Sequence, residues 1–122
     1  PREIYTAPVD AEVGGFIGEA NFFSTRVESG SGDTPLGRLR LNASFEGPGE
    51  VMVRAEHLAL VAQGGAPGEL VDLAYFGHDL LATVRLDTGH RVRVRRRTDY
   101  ALAISDRVGV ALEGPALVFR AE

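Results

Sequence analysis

The hydrophobic pattern of this chain changes period once, near Gly18. Ahead of it, Val9, Val13, Phe16 and Ile17 fall at helical spacing. Pro8 precedes them, Asp10 and Glu12 put negative charge in the first turn, and Gly18 can close the last. This predicts one short helix over 8–18, weakened by Gly14 and Gly15. After Gly18 the period is two. From Asn21 to Glu28, Phe23, Thr25 and Val27 alternate with Ser24, Arg26 and Glu28, predicting a strand. Leu39 and Leu41 alternate with Arg38 and Arg40 in a second, and Val51 to Val53 forms a third apolar stretch. Leu58–Val61, Leu70–Phe76, Leu80–Leu86, Arg91–Arg95, Val108–Leu112 and Leu117–Phe119 continue the series.

The punctuation between these runs is rich in glycine. The cluster SGSGDTPLG at 29–37 is expected to be loop, and Gly47-Pro48-Gly49 and GGAPG at 64–68 are expected to be turns. Asp87-Thr88-Gly89 is the expected tip of a hairpin between the Leu80 and Arg91 runs. Many short strands at even spacing predict an all-β domain, either a small barrel or a sandwich, and periodicity does not choose between them.

Composition narrows the chemistry. The 122 residues suffice for one domain with a modest core. No apolar run approaches the ~20 residues needed to cross a bilayer as a helix. There is no cysteine, so disulfides, thiolate nucleophiles and cysteine zinc sites are excluded. All 13 basic residues are arginine. A phosphate-binding loop of the G-x-x-x-x-G-K-[ST] type needs its lysine, and this chain has none to offer. The net charge of −4 opposes a role in coating nucleic acid. A first residue of proline in place of methionine leads us to expect a segment of a longer protein.

Three segments carry a family resemblance. PREIYTAPVDAEVGGFIGEANFF, with Pro1, Glu3, Ile4, Tyr5, Pro8, Phe16, Ile17, Gly18, Asn21 and Phe22, resembles the junction in ABC import ATPases where the nucleotide-binding domain passes into its C-terminal extension. VRAEHLAL at 53–60 is similar to the family's V-R-P-E pattern, keeping Val53, Arg54 and Glu56 but carrying Ala55 where proline is usual. YFGHDLLATVRLDTG at 75–89 is similar to a Y-apolar-G turn followed by a long strand. The extension is the TOBE domain, so the resemblance implies an OB-like small β-barrel over 19–122, preceded by a linker helix over 1–18. It also implies a non-catalytic role in ATPase dimerisation and in regulation of solute import. The implied partners are the protein's own N-terminal ATPase domain, a second ATPase subunit and membrane permease subunits, on the cytoplasmic face of the membrane. ATP and Mg2+ would belong to that upstream ATPase domain, with no cofactor in this segment.

Candidate sites stand against plainer alternatives. Arg91, Arg93, Arg95, Arg96 and Arg97 could form a phosphate or nucleic-acid patch. The plainer alternative, an exposed strand face with Val92 and Val94 turned inward, is favoured by the acidic net charge, and no nucleic-acid partner is expected. His57, His78 and His90 form no recognised metal-ligand spacing, and neither a metal site nor a catalytic constellation is expected. His78 next to Asp79 reads as a turn histidine capped by its neighbour. Phe22 and Phe23 are adjacent on a strand, so one must face away from the core. The candidates for an interface or regulatory contact are therefore Phe16, Phe22, Arg54, Glu56, Tyr75 and His78. Two alternatives remain: an oxyanion or small-ligand module using Arg54 and the SGSGDT amides, and an oligonucleotide-binding OB barrel.

Overall fold

The computed structural model describes residues 19–97 and 101–121, so the helix expected over 8–18 and Phe16 lie outside the described residues. Ten strands run through it: β1 Ala20–Val27, β2 Ser31–Thr34, β3 Gly37–Arg40, β4 Gly47–Arg54, β5 Leu58–Val61, β6 Ala66–Phe76, β7 Asp79–Leu86, β8 Arg91–Arg97, β9 Arg107–Leu112 and β10 Leu117–Arg120. Among the described residues the one helical segment is a 3-10 turn at Ala55–His57. The residues form two compact units, one of 19–34, 38–54 and 116–121, the other of 35–37, 55–97 and 101–115.

In the first unit β4 is the centre of a three-stranded antiparallel sheet, flanked by β1 and β10. Phe23 stands opposite Val51, which also pairs with Val118, and Asn21 stands opposite Val53. The period-two pattern works here as expected: Phe23, Val27, Val51 and Val53 are buried, while Phe22 faces outward. Leu41 joins this core.

Two glycine-rich segments depart from the sequence expectation. SGSGDTPLG contains a strand, β2, which pairs with β3 in a two-stranded ribbon. Ser29 and Gly30 both have positive φ, 53° and 79°, and Glu28 and Ser31 exchange two backbone hydrogen bonds across them. That is the two-residue hairpin turn whose twist matches its strands. Gly32 follows inside the strand for a different reason. A β-carbon there would lie 2.5 Å from Thr25 Oγ1 and 3.1 Å from Leu41 Cδ1, so the position admits no side chain without a shift. Gly47-Pro48-Gly49 is likewise the start of β4 rather than a turn. Proline is tolerated at that first stretch of a strand, and its carbonyl accepts from the Ala121 N–H at 3.0 Å.

The second unit is a five-stranded antiparallel sheet in the order β5-β9-β6-β7-β8. It curls until the outermost strands meet, β8 lying against β5. Arg96 Nη1 donates to the Leu58 carbonyl at 3.1 Å across that seam. Leu58, Leu70, Leu80, Val84, Leu86, Val92, Val94 and Val110 fill the interior, all fully buried or nearly so. The architecture is the OB-like barrel.

Several expectations hold closely here. β5 spans Leu58–Val61 as expected, and the β7–β8 connection turns on Asp87, Thr88 and Gly89, with Gly89 N–H donating to Leu86 O at 2.8 Å. GGAPG at 64–68 is only partly a turn, because Ala66 to Gly68 already belong to β6. In β6 the register slips by one residue between Leu70 and Asp72, leaving Val71 as a bulge. Such an insertion bends the strand and exchanges the faces of the residues beyond it. Leu70 therefore meets Val84, while Leu73, an odd number of residues on, meets Ala82 on the same interior side.

Candidate functional site

The most exposed aromatic residues of the second unit sit at the end of the β6–β7 hairpin. Tyr75 is 61% exposed and Phe76 52%. Phe76 stands opposite Asp79, so Gly77 and His78 alone make the turn. Gly77 has φ 60°, which suits the first position of a tight two-residue hairpin turn and disfavours any other residue there. The sequence dictates this projection: two rings end the strand, and a glycine-led turn holds them at its tip.

Charge is organised around the same hairpin. Arg95 crosses from β8, its guanidinium 5.9 Å from the Phe76 ring centroid, and pairs with Asp79 at 3.2 Å. The rest of β8 follows the expected alternation. Val92 and Val94 are buried, and Arg91, Arg93 and Arg97 are exposed. Arg96 falls on the inward side with Val92 and Val94, opposite the buried Leu80, and reaches the β5 seam, where it pairs with Glu113 at 3.3 Å. The turn at the opposite end of β7 is tied down by Arg107, which donates to both oxygens of Asp87 at 3.0 and 2.8 Å. That hydrogen bonding and the positive charge of Arg107 hold the Asp87 carboxyl below the usual carboxylate range and hold the Arg107 guanidinium above its own.

The second unit also carries an open cleft of about 370 Å³ between the end of β5 and the start of β9. Leu60, Val61, Leu102 and Val108 supply apolar wall, and Asp106 and Arg107 supply charge. Both charged groups already have work within the fold. Asp106 Oδ2 accepts the Ala103 N–H at 2.9 Å, and Arg107 holds Asp87.

The candidate residues are placed as follows. Tyr75 and His78 share the hairpin tip, and both are exposed. Glu56 is exposed on the 3-10 turn before β5. In the first unit Phe22 is 47% exposed opposite Met52, and Arg54 is half-buried at the end of β4 opposite Ala20. His57 packs its ring against Gly114, with Nδ1 buried and lacking a hydrogen-bond partner among the described residues. Among the described residues no three histidines or carboxylates converge as a metal site. Sequence reasoning missed the Arg95–Phe76–Asp79 arrangement and the Asp87–Arg107 pair. Both depend on cross-strand register, which the order of residues alone does not give.

Two amides of the SGSGDT segment considered as an anion cradle are engaged within the chain: Ser31 N–H donates to Glu28 O, and Ser29 N–H donates to Glu46 Oε2 at 3.1 Å. One of the protein's own carboxylates occupies that amide. A phosphate loop is excluded by chemistry, because the sequence has no lysine to reach the phosphates.

Fold and site together define a small OB-like β domain with an aromatic hairpin tip and an arginine-edged strand. Residues 51–119, more than half of the chain, match the TOBE domain model, and the chain belongs to the TOBE domain family. It is 39% identical over 126 residues to the Fe(3+) ions import ATP-binding protein FbpC 2 of Rhodococcus jostii, a match covering 98% of this chain and 36% of that protein. It is 33% identical over 128 residues to the spermidine/putrescine import ATP-binding protein PotA of Ruegeria pomeroyi, covering 93% of this chain and 35% of that one. The chain thus spans just over a third of the curated relatives it matches. In three dimensions it resembles the cytoplasmic molybdate-binding protein ModG, with a TM-score of 0.72 over 87% of this chain and 99% of that one. At 11% identity this likeness speaks to the fold alone. No helix among the described residues is long and apolar enough to cross a membrane.

Proposed function

We propose that the chain is the C-terminal accessory domain of an ABC import ATP-binding protein, supporting the pairing of two ATP-binding subunits and regulating their cycle. The observation that carries this reading is the match to the Rhodococcus jostii iron-import protein, which runs along 98% of the chain rather than over one motif. In this reading ATP and Mg2+ are bound by an ATPase domain N-terminal to the chain, on the cytoplasmic side of the membrane. The present residues supply no phosphate ligand of the lysine type.

The domain would act by contact. Phe22 on one unit and Tyr75 on the other offer exposed aromatic area, the kind of side chain that anchors protein interfaces. Arg54, Glu56 and His78 flank these elements as polar contacts, and Phe16 belongs to the linker. Contacts that differ between the open and closed arrangements of the nucleotide sites would shift the equilibrium between them. Membrane permease subunits enter only through the complete protein, and the imported solute is an iron, polyamine or similar cargo.

The test is nucleotide binding by the complete polypeptide that contains this chain, compared with the chain by itself. The reading expects Mg–ATP binding by the former and none by the latter. A complete polypeptide that binds no nucleotide would overturn it.

A further inference from the structure

The outer face of the first unit's sheet carries an apolar row that includes Phe22. We propose that this row is the seat of segment 8–18 of the same chain, which lays Phe16, Val13 and Val9 across it. In the ATP-binding protein proposed above, on which this depends only for what lies upstream, the segment is the link to the ATPase domain. Its seat would tie that domain to this sheet.

Register builds the row. Phe22 on β1 and Leu117 on β10 both stand opposite Met52 on β4, so one side chain from each strand leaves the same side of the sheet. The residues between them in sequence, Asn21, Phe23, Val51 and Val53, are buried on the other side. Phe22 is 47% exposed and Leu117 48%, with Met52 half-buried between them. Phe119 extends the apolar area one step along β10. Arg54 and Glu50, the next residues on this side of β4, bound the row with one charge of each sign.

The segment has the matching pattern. Val9, Val13, Phe16 and Ile17 share one face at helical spacing. Phe16 to Val9 measures about 10 Å along a helix axis, and Phe22 to Leu117, two strand spacings, is also about 10 Å. Phe16, Val13 and Val9 can therefore lie over Phe22, Met52 and Leu117 in turn. Only Gly18 and Glu19 separate Ile17 from the first residue of β1, so the stripe starts within reach of Phe22. A helix this short, with a glycine pair, is marginal by itself in water and needs an apolar surface to lie on. Three side chains in a row suit the width of one helix, whereas a stable pairing of two copies buries upward of about 1,000 Å².

The experiment uses disulfide closure in the 122-residue chain, which has no cysteine of its own. A segment held by one row of contacts opens far more easily than the sheet beneath it, so closure rates read the seat better than melting does. Val9→Cys with Leu117→Cys should close an intramolecular disulfide on mild oxidation. Ala11→Cys with Leu117→Cys, on the opposite face of the same helix, should close about tenfold more slowly. Positions 9 and 11 hang on nearly the same tether, so equal closure rates for the two pairs overturn the proposal. Val13→Asp added to the first pair should slow its closure by a similar factor, and undiminished closure also overturns it. So does a disulfide-linked dimer through Leu117→Cys in place of closure within one chain, which would give the row to a second copy. Thermal melts of the Leu117→Cys variant, expected to match the parent, separate a lost seat from a lost fold. Mg–ATP binding by the complete polypeptide can hold while closure fails, so the two proposals fail independently.

Discussion

Arg107, at the first position of β9, grips both carboxylate oxygens of Asp87 at 3.0 and 2.8 Å, fastening the β7–β8 turn to the strand two places away in the sheet. The Asp87 N–H makes a second tie to the Pro67 carbonyl at 2.9 Å. Because Asp87 titrates below its ordinary value in the fold, its pairing stabilises the folded state above the unfolded carboxylate pKa. That contribution is lost as pH falls through the lower folded value. Asp87→Asn is therefore expected to lower the melting temperature at neutral pH, the gap closing as pH is lowered below the ordinary value of 3.8. A gap that is constant across that range would show that the ion pair contributes nothing.

Phe22 and Phe23 make a matched pair of tests. Phe23 is 4% exposed between the strands of the first sheet, and Phe23→Ala is expected to cost ~3–5 kcal/mol in urea unfolding. Phe22 is 47% exposed, and Phe22→Ala is expected to change stability by less than ~0.5 kcal/mol. If Phe22 anchors an interface, the same substitution should weaken self-association of the complete protein.

Gly32 tests whether its glycine serves the strand rather than a loop. With Thr25 Oγ1 and Leu41 Cδ1 where a β-carbon would go, Gly32→Ala should destabilise by ~1–3 kcal/mol. Had the segment been an ordinary loop, alanine there would be neutral or slightly stabilising in the same unfolding experiment.

Arg96 tests how the five-stranded sheet closes. Its hydrogen bond to the Leu58 carbonyl, part-buried, joins the two outermost strands. Arg96→Met keeps much of the aliphatic stem and removes that donor. A loss of ~1–2 kcal/mol is expected, with faster amide hydrogen exchange concentrated in β5 and β8. Exchange that rises evenly over the second unit would instead mark a general loss of stability.

Much of this fold was legible because interior and exterior alternate without exception along several strands. Val92 and Val94 between arginines, and Phe23 beside Phe22, announce their faces directly. Glycine misled the reading wherever its role was close approach and not a turn. Gly32 was expected in a loop and Gly47-Pro48-Gly49 as a turn, yet both lie within strands: a β-carbon would lie 2.5 Å from Thr25 Oγ1 at Gly32 and 3.3 Å from Phe119 O, Phe45 Cζ and Val118 Cγ2 at Gly49. The bulge at Val71 was hidden because Leu70 to Leu73 is almost uniformly apolar and carries no mark of a register slip. For the candidate site, sequence supplied the exposed rings and the arginine run. It could not supply Arg95 against Phe76 and Asp79, because that meeting is created by the pairing of β7 with β8.

The central claim is that this domain supports the pairing and regulation of ATP-binding subunits. Its most direct test is the ATP-dependent dimerisation of the complete protein, measured by light scattering beside its ATP turnover, with and without residues 19–122. The account predicts that the shortened protein still binds ATP but dimerises more weakly and loses part of the control of its turnover. Dimerisation and turnover unchanged by the deletion would contradict it.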